Sequence, residues 1–154
     1  MNLKRSLAIM VVFSFLIQYY FMPLVMVDRV SNFTNNTGKF YMSVAMALCM
    51  GVLEVFMHDM ALSLGTWHYY AGLIGLLVVV TSFYRKQKYI TDKEYLKGMI
   101  EHHSMAVLTS KEIMMKSEDK HVKEFAKHVV KQQEAEINYM NRMLGKKVKK
   151  NRIK

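Results

Sequence analysis

The stretch GMIEHHSMAVL, residues 98–108, places two adjacent histidines, His102 and His103, between Met99 and Met105. Imidazole and thioether are the donors that suit copper among the first-row metals. In a helix of 3.6 residues per turn, adjacent side chains cannot share one face. Met99 and His103, four apart, do share a face, and Met99 and His102, three apart, are neighbours. A second stretch, VVKQQEAEINYM, spaces Gln133, Glu136 and Met140 along one helical stripe. Folding the second helix back on the first about Ser117 to Lys120 sets His103 opposite Gln133. Met99 then lies opposite Glu136 and Ile137, and Leu96 opposite Met140. The candidate metal ligands are therefore His102, His103, Met99, Met105, Glu136 and Met140.

The competing account is a core histidine satisfied by a hydrogen bond to Gln133 or Glu136, with the methionines as packing. Structural zinc usually takes four His, Cys or Asp ligands, a set this patch lacks. A di-iron centre needs Glu-x-x-His on each of two helices. That spacing occurs at Glu118 to His121, in the turn between the helices. Low-coordinate Cu(I) is the best fit. His121 and His128 read as solvated. No nucleophile–base pair, phosphate loop or metalloprotease motif is found, so no enzyme activity and no organic cofactor are expected.

The chain that must position these residues has 154 of them and a net charge of +10. Residues 1–84 carry four Lys/Arg and three Asp/Glu, and residues 85–154 carry 18 and nine. The single cysteine, Cys49, rules out an intrachain disulfide framework or a zinc–thiolate cluster. Three apolar runs, about residues 7–27, 40–57 and 67–84, are long enough for transmembrane helices. Lys4 and Arg5 precede the first, which reads as an uncleaved span that Pro23 kinks. Trp and Tyr cluster at both ends of the third, as at membrane interfaces. The polar loop DRVSNFTNNTGK holds two N-x-T sequons. Met42, Met46, Met50 and Met57 read as lipid-facing or packing positions. Glu54, a carboxylate within a span, is a candidate functional group.

Thr91 or Asp92 caps the first soluble helix, and Gly145 stops the second. This gives a membrane domain (1–88), a metal-binding hairpin (89–145) and a basic tail (146–154). The tail carries no nucleic-acid reading motif, so its expected partner is anionic lipid. Arg85, Lys86, Lys88 and Lys93 favour a cytoplasmic C-terminus. A hairpin this small buries little core alone, so a homo-oligomer is expected, two hairpins making a four-helix bundle.

YLKGMIEHHSMAVLTSKEIM followed by VVKQQEAEINYMNRML resembles the bacterial domain-of-unknown-function family 305. Its pattern is M-x-x-H-H-x-x-A, then Q-x-x-E-I-x-x-M. The matching positions are Met99, His102, His103 and Ala106, then Gln133, Glu136, Ile137 and Met140. Glu101 departs from the family, where Pro often precedes the His pair. Members with a multi-span anchor also resemble the first half of this chain. The resemblance implies an all-α, ferritin-like hairpin or bundle behind three transmembrane helices. It further implies copper binding in some members, copper tolerance or delivery with copper-handling partners, and a C-terminal domain outside the cytoplasm.

Overall fold

A computed structural model describes residues 2–62 and 66–146. The described residues are helical with no strand. The basic stretch 147–154 lies outside them.

Three helices are long and apolar enough to cross a membrane: Leu3–Met26, Thr37–Ala61 and Trp67–Arg85. The first is built from α1 (Leu3–Leu16), a π-helical turn (Ile17–Phe21) and α2 (Met22–Met26). The π turn ends just before Pro23, whose ring lacks an N–H and would crowd the Tyr19 carbonyl in a regular α-helix. The expected kink therefore takes the form of a widened turn. At the other end, the Asn2 side chain caps α1 by accepting the Lys4 N–H. The second span is α3 (Thr37–Leu62), and the third is α4 (Trp67–Arg85).

The chain forms two compact units. The first joins residues 1–22 to 37–90, and the second joins 23–36 to 91–154. In the first unit, α3 packs against both α1 and α4. Gly51 marks the crossing. A Cβ there would stand 3.1 Å from Val11, 3.3 Å from Leu7 and 3.4 Å from Leu73. The Ser6 hydroxyl donates to Glu54, giving this carboxylate of an apolar helix a partner from α1. Met42, Met46 and Met57 are exposed on the surface of the unit.

The second unit contains the hairpin, α5 (Asp92–Lys116) and α6 (Lys120–Met143). Thr91 caps α5 by accepting the Glu94 N–H, and Asp92 and Glu94 sit at the positive end of the helix dipole. Asp119 caps α6, accepting the N–H groups of His121 and Val122. Gly145 follows α6 at φ 72°, a left-handed stop that suits glycine. Ile100 and Val107 of α5 pack on Ile137 and Met140 of α6, with Leu96, Met99 and Leu144 at the edge of this core.

A polar surface covers the other side of α5. The polar loop that follows the first apolar run bonds to α5 through Asp28, Asn32 and Thr34, and Asn32, Thr34 and Asn36 are buried. The compact units therefore do not follow chain order as the expected 1–88 and 89–145 division does.

Candidate functional site

His103 is held at both ring nitrogens. Its side chain is 11% exposed. Nδ1 lies 2.7 Å from the Met99 carbonyl oxygen one turn back. A carbonyl only accepts, so Nδ1 carries a proton and donates it. That leaves Nε2 as the free end of the ring, and it lies 2.7 Å from Glu136 Oε2. Gln132 Nε2 donates to the other carboxylate oxygen at 3.1 Å.

The donation from Gln132, with the hydrogen bond and charge of His103 beside it, holds the Glu136 carboxyl below the usual carboxylate range. The carboxylate is thus ionised at neutral pH.

The sequence pattern set His103 opposite Gln133, and the structure sets it against Glu136, about one turn further along α6. Side chains lean toward their own helix N-terminus. In an antiparallel pair, His103 and Glu136 therefore lean toward each other. That lean spans the roughly 4.5 Å of rise separating Gln133 from Glu136.

The other expected ligands are dispersed. Met140 is buried and Met99 partly buried, and both pack in the apolar core. Their sulfurs serve there as adaptable filler. His102 is exposed, and its ring centroid lies 6.0 Å from that of His103. Met105 sits about 200° round α5 from His103, off the face toward α6. Among the described residues, no group of three or more His, Cys, Asp or Glu side chains is placed to hold a metal ion.

A second polar system lies on the opposite side of α5. Ser104, fully buried, accepts from the Asp28 N–H at 2.9 Å and from Asn32 Nδ2 at 3.2 Å. Thr34 Oγ1 bonds to Glu101 Oε2 at 2.9 Å and to the Lys97 carbonyl at 3.0 Å. Lys111 Nζ lies 3.2 Å from Asp28 and 2.9 Å from Glu134. Burial alone would lower the pKa of Lys111, but these two carboxylates outweigh it and raise it. Asn32, the first sequon asparagine, is buried with its amide bonded, whereas Asn35 of the second is exposed.

No helical period marks this loop. The available signal was compositional: a run of Asn, Thr and Ser facing a helix that carries Glu101 and Ser104 beside its apolar stripe.

Residues 81–144 match the family described as Domain of unknown function (DUF305). An uncharacterized protein of Acanthamoeba polyphaga mimivirus is 38% identical over 80 residues, which cover 52% of this chain and 53% of the relative. The match thus spans about half the length of this curated relative. No solved structure matches.

Proposed function

Residues 81–144 being a DUF305 domain, we propose that the protein is a membrane-anchored copper-binding protein acting in copper tolerance or delivery, with His103 as its central ligand. The observation that carries this reading is the pinning of His103. Metal-ligating histidines commonly donate one ring N–H to a backbone carbonyl and present the other nitrogen to the ion. The hydrogen bond to the Met99 carbonyl does this for Nε2. Glu136 supplies an ionised oxygen donor beside it. Imidazole with carboxylate fits copper, so the donor set is compatible with the ion. His102, exposed beside His103, is the further ligand of this reading, whereas the thioethers of Met99 and Met140 pack in the apolar core and that of Met105 lies off this face. Bound copper would supply a soft, redox-capable centre; the chain's own residues orient the imidazole, hold the carboxylate charged and keep water from the core side.

The external function places the domain outside the cytoplasm, anchored in the cell membrane. Arg85, Lys86 and Lys88 after α4 pull the other way under the positive-inside rule. A topology reporter fused after Lys154 tests this point, and a cytoplasmic signal would overturn external tolerance.

A second reading is favoured by one observation: both ring nitrogens of His103 already have protein partners. On that reading the hairpin is an interaction module, and the pair merely secures its seam. Titration of the full-length protein with Cu(I) and Cu(II) separates the two. The His102→Ala/His103→Ala variant is expected to lose at least tenfold in copper affinity. Equal retention by wild type and variant would sink the copper site.

A further inference from the structure

We propose that a second copy of this chain docks on the side of the hairpin that residues 23–36 leave uncovered, bringing its His102 to the first copy's Glu136. The pairing itself stands apart from the copper reading; only the completion of a metal site by the second copy's imidazole rests on it.

Two stripes line this side. On α5 the stripe is Tyr95, His102, Ala106 and Ile113; on α6 it is Phe125, Gln132, Glu136 and Met143. Both have the same helical spacing, and the His103–Glu136 contact shows that they border the same side of the hairpin. Neither contains Lys, Arg or Asp, in a half of the chain dense with charge. The four end residues are Tyr95, Ile113, Phe125 and Met143, exposed by 52%, 42%, 70% and 57%. Depletion of charge with exposed Tyr, Phe and Met is the composition of an interface core.

The surface is apolar at both ends and polar in the middle, where His102 and Ala106 of α5 neighbour Gln132 and Glu136 of α6. A two-fold axis lying in that surface maps ends onto ends and the middle onto the middle. One copy's imidazole then meets the other's carboxylate, so the surface complements itself. Two helices about 36 Å long and together about 20 Å wide offer roughly 700 Å² per copy. That is close to the roughly 800 Å² per partner of a standard stable interface. The bilayer is a poorer occupant, because Glu136, ionised and 42% exposed in the middle of the surface, would be costly against lipid.

The test uses the full-length protein in detergent micelles or nanodiscs. The wild type is expected at the mass of two chains. Phe125→Glu, at an exposed position that does not support the fold, is expected at the mass of one with unchanged helicity. In a Cys49→Ser background, a His102→Cys chain mixed with a differently tagged Gln132→Cys chain is expected to give a mixed disulfide on oxidation. A one-chain mass for the wild type, or absence of the mixed disulfide, would overturn the pairing. A one-chain mass with the Phe125 surface shielded only in vesicles would assign it to lipid and overturn it equally. Under the copper reading, Phe125→Glu also weakens copper binding at least tenfold. If mass halves and copper affinity stays unchanged, the second copy's imidazole is no ligand. If the wild type pairs but holds no copper, the pairing stands and the copper reading fails.

Discussion

At the scale of single residues, the His103–Glu136 contact joins an imidazole whose tautomer is set by backbone to a carboxylate kept charged by an amide. It also makes stability depend on pH in a defined direction. The Glu136 carboxyl is held below its ordinary value near 4.5 in the folded protein. Its contribution is therefore fully present above that value and is lost as pH falls through the lower, folded-state value. Glu136→Gln is expected to flatten the fall in stability on acidification below about pH 5, followed by helical circular dichroism. An unchanged acid limb would show that the contact is not energetically felt. Both partners were legible in the sequence, as was the histidine's inward face. The register set His103 level with Gln133, and the hydrogen-bonded alternative named Glu136, the partner found; the offset of about one turn arises because residue spacing places Cα atoms and the contact is made by leaning side chains.

At the scale of elements, apolar length carried the three long apolar helices, and periodicity with local end signals carried the two hairpin helices, the Thr91 cap and the Gly145 stop. It did not carry residues 23–36. Asn32, Thr34 and Asn36 are buried through hydrogen bonds, and hydrophobic period is blind to those. Ser104 receives two of the bonds and is fully buried. Ser104→Ala leaves the Asp28 N–H and the Asn32 amide without their acceptor, a loss of about 1–3 kcal/mol. Denaturant unfolding should register that loss, and hydrogen exchange should register faster exchange at the Asp28 amide. A variant as stable as wild type, with Asp28 still protected, would mean that the loop is held by its other contacts alone.

At the scale of the whole molecule, the second unit takes one segment from before α3 and one from after α4. An even number of crossings must separate segments that fold together on one side of a bilayer. Crossing by both apolar helices α3 and α4 would meet that condition, and crossing by one of them alone would not. Single cysteines at Asn35 and Lys123, both exposed, in a Cys49→Ser background, are therefore expected to react with an impermeant thiol reagent from the same side. A cysteine at Lys4 is expected to react from the opposite side. Labelling of Asn35→Cys and Lys123→Cys from opposite sides would remove one of the three spans.

The split origin of that unit also orders its birth on the ribosome. Residues 23–36 are synthesised before the two later spans, and Ser104, Glu101 and Lys111 come only after them. At about 5–20 residues per second, the loop waits several seconds for its partners. During that interval the Asp28 N–H, the Asn32 amide and the Thr34 hydroxyl lack the α5 partners they later bond. Closure of the loop on α5 thus waits until both intervening apolar helices have been synthesised.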